Sequence, residues 1–343
     1  MGGVRPNAAQ ADVVSAARQG DSGAFGAAVE PHWSELHAHC YRLLGSTHDA
    51  DDALQDSLVR AWRGLARLDP QRPVRPWLFK IATNVCLDML RGRSRRFLPF
   101  DTGGLESDAD AGPLPVSSWI TPYPDRHLDA SSGYAVPDAR YEQREAIELA
   151  FVTALQHLPA RQRGVLVLHD VLGFSIAEIA ENLDATKAAV NSALQRGRKT
   201  LGGLLPERSQ MCAQQSLGDE RVRAIARRFV DAYEGGDVEG MIGLLDGDSS
   251  FAMPPYAQWC QGRDAVSRSW LMPPPRPGLF RVIPVRANGQ LAFAVYVLRE
   301  AKYVPIALDV VSLTESRIGS VVAFRNIEVF DLFDLPAALP LES

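Results

Sequence analysis

The segment from Ser175 to Leu201 constrains this chain most, because it specifies two helices, their caps and the tight turn between them. Ser175-Ile-Ala-Glu178 is a capping box: the hydroxyl accepts from the third backbone N–H while the glutamate reaches back to the first. Ile176, Ile179, Ala180 and Leu183 supply an apolar face, and Asp184-Ala-Thr makes the turn. In the helix that follows, at 100° per residue, Val190, Leu194, Gly197 and Leu201 share one arc. Lys187, Asn191, Gln195 and Arg198 line an adjacent arc, which Ser192, Arg196 and Lys199 extend, with no acidic residue from Lys187 to Arg198. A narrow apolar seam beside a wide basic and amide face suits the major groove. Asn and Gln can pair with adenine there, while Arg and Lys reach guanine or phosphate. A solvated basic face on a structural helix has the same composition, but the capped short helix and tight turn ahead of it favour a helix-turn-helix. Upstream, Asp138 is a cap for a helix to His157, with Ile147, Phe151, Ala154, Leu155 and Leu158 on its stripe. Pro159 ends it, and a second helix over Arg161–Leu172 stops at Gly173.

Residues 22–96 also read as helices with few breakers. In HDADDALQDSLVRAWRGL, Ala53, Leu54, Leu58, Ala61, Trp62 and Leu65 recur at helical spacing, and Asp52, Gln55, Asp56 and Arg60 occupy the other face. Acids near a helix start are ordinary dipole chemistry as well as a docking surface. RPWLFKIATNVCLDMLRGRSRR follows, apolar at Trp77, Ile81, Val85 and Leu90. Its Arg91, Arg93, Arg95 and Arg96 fit a C-terminal cap, and with Lys80 and Asn84 they also fit a helix lying on phosphates and catching exposed bases.

The formal net charge of -5 argues against a protein that binds duplex unaided, since that affinity comes largely from neutralising phosphates. No stretch approaches the roughly 18 apolar residues of a membrane helix, and the start MGGVRPNAAQADVV lacks a secretory pattern, so the expected location is the cytoplasm. Cys40, Cys86, Cys212 and Cys260 lie far apart without metal-ligand spacing, which predicts buried reduced thiols, no metal and no cofactor.

Residues 97–137 are rich in Pro, Gly, Ser and Asp and predict a linker, with Trp119, Ile120 and Tyr123 docking part of it. After a second break, Val222, Ile225, Ala226, Phe229, Val230 and Tyr233 make an amphipathic helix, and Met241–Leu245 another. Asn288-Gly289 then sits between two strand patterns, a type I′ hairpin signal, and two further strands flank a turn near Glu315–Gly319. Helices followed by a curved antiparallel sheet predict an α+β cone.

Together the first three blocks resemble the extracytoplasmic-function (ECF) group of sigma-70 family sigma factors. DADDALQDSLVRAWR resembles the group's polymerase-docking helix, RPWLFKIATNVCLDMLRGRSRR its -10 element, and LPARQRGVLVLHDVLGFSIAEIAENLDATKAAVNSALQRGRKTL its -35 domain. The resemblance implies a multidomain chain: region 2, an all-α bundle over 20–96; a linker over 97–137; and region 4, the all-α helix-turn-helix domain over 138–205. It implies that Asp52, Gln55, Asp56, Arg60 and Trp62 contact core RNA polymerase. Lys80, Asn84, Asp88 and Arg91, with the arginines after it, would engage the -10 strand, and Lys187, Asn191, Ser192, Gln195 and Arg198 the -35 element, with Arg196 and Lys199 beside them. Ala185-Thr-Lys-Ala departs from the Pro-x-Gly-Thr of many members.

Residues 217–343 resemble SnoaL-like α+β cones appended to certain members of this group. That implies a regulatory domain in intramolecular contact with the sigma domains or linker. Some cone relatives are enzymes, which makes Trp259, Trp270, Phe293 and Tyr296 candidate pocket walls with Asp309 and Arg325 facing inward. The expectation is a non-enzymatic promoter-specificity subunit. A polymerase-independent helix-turn-helix regulator and an enzyme housed in the cone are the alternatives.

Overall fold

The computed structural model describes residues 8–69, 71–102, 112–129, 146–270 and 275–341; the predicted cap Asp138 lies outside them. The chain forms two compact units. One takes in residues up to 95 together with 126–146 and 154–205, and the other 96–125, 147–153 and 206–343.

The first unit is all-α. Helices α1 (Ala8–Arg18), α2 (Ser22–Val29), α3 (Trp33–Leu44), α4 (Thr47–Gly64) and α5 (Val74–Leu90) open it, the last four within the block expected to be an all-α bundle. Local chemistry sets their ends. Asp21 accepts from Ala24 N to start α2, and Gly45 adopts φ 69° to close α3. Ser46 then accepts from Asp49 N to start α4. Leu36, Tyr41, Leu43 and Leu44 of α3 bury against Leu54 of α4 and Phe79 and Val85 of α5, with the free thiols of Cys40 and Cys86 in the same core. Cys212 is exposed and Cys260 half-buried, so the expectation of four buried thiols holds for two. A short α6 (Arg126–Asp129) follows.

Further on come α7 (Leu149–Gln156), whose first five residues belong to the second unit, and α8 (Ala160–Leu166), α9 (Ile176–Asn182) and α10 (Lys187–Gly202), which belong to the first. The predicted helix to Leu172 is α-helical only to Leu166. It continues as a π turn over Val167–Val171, and Gly173 then reverses the chain at φ 72°. The capping box is present with both of its bonds, and Thr186 caps α10 by accepting from Ala189 N at 3.1 Å.

The second unit is the cone. Helices α11 (Gln210–Leu217), α12 (Asp219–Gly235), α13 (Val238–Leu244), α14 (Arg263–Trp270) and α15 (Glu328–Leu332) accompany a seven-stranded sheet. Its strands are β1 (Leu245–Ala252), β2 (Trp259–Gln261), β3 (Phe280–Ala287), β4 (Gln290–Arg299), β5 (Lys302–Leu313), β6 (Ile318–Phe324) and β7 (Leu339–Pro340). The order is β2-β1-β6-β5-β4-β3, with β7 on β5. The β1–β6 pair is parallel, a departure from the all-antiparallel expectation. Asn288 and Gly289 take φ 56° and 70°, the two positive values a type I′ turn needs. Phe229 of α12 stacks on Phe293 of β4 at 3.9 Å between ring centres, fixing the helix against the sheet.

The linker joins this second unit. Trp119, Ile120 and Tyr123 are all buried, and Phe97 packs edge-on against Trp119. Leu114 N donates to Pro255 O, Pro124 bridges Ala287, and Gly289 N donates to the Asp125 carboxylate.

Candidate polymerase and promoter interfaces

The five predicted polymerase contacts lie on α4 and all are exposed. Counted from Asp52 at 100° per residue, Gln55, Asp56, Arg60 and Trp62 fall within one side of the helix. Trp62 and Val59 are among the exposed large hydrophobics, so the face combines acids with apolar surface. Trp62 packs edge-on against Phe25 of α2 at 5.2 Å, which orients the indole. Arg60 bonds Asp56 at 2.8 Å and Asp88 at 3.2 Å, and Asp88 also meets Arg91. A charge chain thus joins α4 to the end of α5.

Lys80, Asn84, Asp88 and Arg91 align along one face at and beyond α5. The helix stops at Leu90, so Arg91 stands at its C-cap and the other three arginines follow a turn at Gly92. They are not equivalent. Arg93 pairs with the largely buried Asp49 at 3.1 Å, Arg95 meets His157, and Arg96 donates to Trp119 O at 2.9 Å. Arg91 is the most exposed of the ion-paired ones, with 81 % of its side chain accessible.

On α10 all seven predicted -35 residues are exposed, while Val190, Ala193, Leu194, Gly197 and Leu201 are buried. Gly197 lets the helix approach closely: a Cβ there would lie 3.0 Å from Leu166 Cδ1. Arg198 Nε donates to Asp170 at 2.9 Å, and that carboxylate also meets His169. These bonds hold Asp170 below the usual carboxylate range against the opposing effect of its burial. Lys187, Asn191, Gln195, Arg196 and Lys199 carry no side-chain bond or ion pair among the described residues, so they are free to meet a ligand.

The helices carrying the predicted -10 contacts and those leading to the predicted -35 contacts pack on one another within the first unit. Lys80 of α5 donates to Glu181 O of α9 at 3.0 Å, and Arg72 reaches the Glu181 carboxylate at 3.2 Å. Arg75 forks onto Glu35, donates to Leu172 O, and lies over the rings of Phe79 and Phe174 at 5.0 and 4.8 Å. Arg163 of α8 is buried and donates to Leu43 O at the end of α3, and to Gln156 and Leu158 O. Burial pushes it down to about 10. His39 bonds Thr83 at 2.8 Å in the same core, where burial first and Arg42 second lower it to about 3, so it stays neutral. Sequence patterns gave no sign of this joint, since its arginines come from separate helices.

In the cone, Trp270, Asp309 and Arg325 line one cavity, together with Tyr233, Phe280 and Arg299. The other three predicted walls do not line it. Trp259 packs against Phe100 of the linker, Phe293 is taken up by the Phe229 stack, and Tyr296 turns to the far side of the sheet, donating to Pro336 O beside Phe330. Parity is the reason for Tyr296: three residues from Phe293, it faces the opposite side of the strand.

Residues 28–96 match the family Sigma-70 region 2, and residues 148–201 match Sigma-70, region 4. The ECF RNA polymerase sigma factor SigG of Mycobacterium tuberculosis is 38% identical over 327 residues, covering 94% of this chain and 86% of the relative. The chain belongs to the ECF sigma factors. SigM of the same species is 31% identical over 203 residues, covering 59% of this chain and 88% of the relative. The crystal structure of the M. tuberculosis ECF sigma factor SigJ superposes with TM-score 0.56 at 20% identity, covering 89% of this chain and 96% of that one, so the fold is shared along nearly the whole length. This ECF sigma factor is a transcription factor that binds core RNA polymerase and promoter DNA to direct promoter-specific initiation. Among the described residues no helix is long and apolar enough to cross a membrane, and no cluster fits a metal ion.

Proposed function

We propose that this ECF sigma factor docks on polymerase through the exposed face of α4, reads the -10 element with α5 and the -35 element with α10, and is held closed by its C-terminal domain. It works in the cytoplasm, and the cone acts by binding, without turnover. The packing of α5 on α9 supports the closed state. Elements centred 25 base pairs apart are separated by roughly 85 Å of duplex at about 3.4 Å per pair, which two touching regions cannot span.

One side chain carries the regulatory half of this reading. Asn288, in the β3–β4 turn, accepts from Tyr123 N and donates to Ile147 O, both at 2.8 Å. Tyr123 lies in the linker and Ile147 beyond its end, and the chain between these two positions could otherwise reach about 80 Å at full extension. Leu149 N is held next to them by Gln290, and Gln210 N and Met211 N by Glu148. With both flanks on one body, region 4 cannot move far from region 2.

Run-off transcription with core polymerase tests this. Asn288→Gly keeps the positive φ of the turn and removes both bonds. It should raise promoter-specific output several-fold, as should removing residues 217–343. Output equal to or below that of the intact chain, from folded protein, would count against the closed state.

A further inference from the structure

The cone holds a partly open cavity of about 160 Å3. Tyr233 of α12, Trp270 of α14 and Phe280 of β3 give it aromatic walls, and Asp309 of β5 is set among them. A cavity of roughly 150 Å3 holds a benzene-sized body. The carboxyl of Asp309 is 2 % exposed and bonds no side chain among the described residues. Its ladder neighbours Phe293 and Ala323 carry no charge. Burying such a group without a partner is costly, so its retention points to an occupant. Arg299 and Arg325 are exposed and line the same cavity. Arg299 pairs with no acid among the described residues, and Arg325 bonds Met253 Sδ at 3.5 Å. Two guanidinium groups at the opening attract an anion and repel a cation.

We propose that this cavity binds a small carboxylic acid of about ten non-hydrogen atoms in all, its carboxylate toward Arg299 and Arg325 and its apolar body between Tyr233, Trp270 and Phe280. Binding itself does not depend on the closed-state reading; only its effect on transcription would. The groups facing Asp309 are Tyr233 and Arg325. Burial lifts Asp309 to about 7, against the opposing pull of Arg325. An incoming anion favours its protonated form further, so affinity should rise about tenfold from pH 8 to pH 6.

The full-length protein, labelled at its methionine methyls, is titrated with phenylacetate, 2-phenylethanol and phenethylamine, three bodies of similar shape carrying negative, zero and positive charge. Met241 and Met253 line the cavity and locate the binding. Phenylacetate should shift both methyls with a dissociation constant of about 1 mM or better, and the other two should bind at least about tenfold more weakly. Arg299→Gln with Arg325→Gln, both at exposed positions, should weaken phenylacetate at least about fivefold, and Asp309→Asn should flatten the pH dependence. Equal or tighter binding of the amine, no shift of either methyl at about 20 mM phenylacetate, or binding indifferent to the two arginines overturns the proposal. Since no transcription enters, this outcome is independent of the Asn288 experiment.

Discussion

Arg75, on α5, the helix proposed to read the -10 element, lies 4.8 Å over the ring of Phe174, just ahead of the capping box of α9. The same guanidinium forks onto Glu35 and caps Leu172 O, so one side chain joins both promoter-reading regions. Arg75→Ala should weaken that joint by about 2–3 kcal/mol, the loss of charge-assisted bonds and a cation–π contact. Faster hydrogen exchange in α5 and α9 with increased run-off transcription is the expected result. Slower exchange or unchanged output would contradict it.

Reversing charge on α4 separates docking from DNA reading. Asp52 and Asp56 are exposed, and their removal leaves no buried group unpaired. Asp52→Lys with Asp56→Lys should weaken core polymerase binding at least about tenfold while leaving the melting temperature within a few degrees. Co-elution with core polymerase on a sizing column measures the first and calorimetry the second.

The residues of α10 should divide by chemistry. If Lys187, Arg196 and Lys199 meet phosphates as proposed, replacing each by Ala should lower affinity for all sequences and reduce the salt slope by about one. Asn191→Ala and Gln195→Ala should instead cost about 1–3 kcal/mol at particular base pairs and relax preference there. Arg198 is tied to Asp170, so its replacement should show in stability as well as in binding. Salt-dependent titrations on a panel of -35 variants distinguish these cases.

Acid should act oppositely on the two units. His39 is held neutral at about 3, so its contribution is complete above pH 6.5 and declines as pH falls toward 3. Asp309, raised from 3.8 to about 7, favours the folded state when protonated, so its contribution is complete below pH 3.8 and is lost as pH rises through 7. Three units correspond to about 4 kcal/mol for Asp309. Between pH 7 and 5, exchange should quicken in α3 and α5 and slow in β4 and β5, and Asp309→Asn should stabilise the cone at pH 8. Parallel changes in both units would refute this.

Local features were readable where local chemistry suffices. The capping box at Ser175 and Glu178 and the turn at Asn288-Gly289 each follow from a few adjacent residues and appear as expected. The α10 face is legible because its seam repeats at helical spacing, and Thr186 supplies the cap that the unusual Ala185-Thr-Lys-Ala left in question. The candidate cavity was half legible. Trp270, Asp309 and Arg325 meet there, but Phe293 is consumed by α12 and Tyr233 and Arg299 arrive from elements the pattern could not place beside β5.

The sequence by itself determined the order of helices and strands, the caps and turns, and the charged faces of α4, α5 and α10, since each depends on residues a few positions apart. Only the tertiary structure decided that α5 rests on α9, that Asn288 ties Tyr123 to Ile147, 24 positions along the chain, and that the buried Asp309 carboxyl lines a cavity. Those relationships join residues with no common period, and their energies come from burial and from hydrogen bonds that exist only once the chain has brought distant segments together.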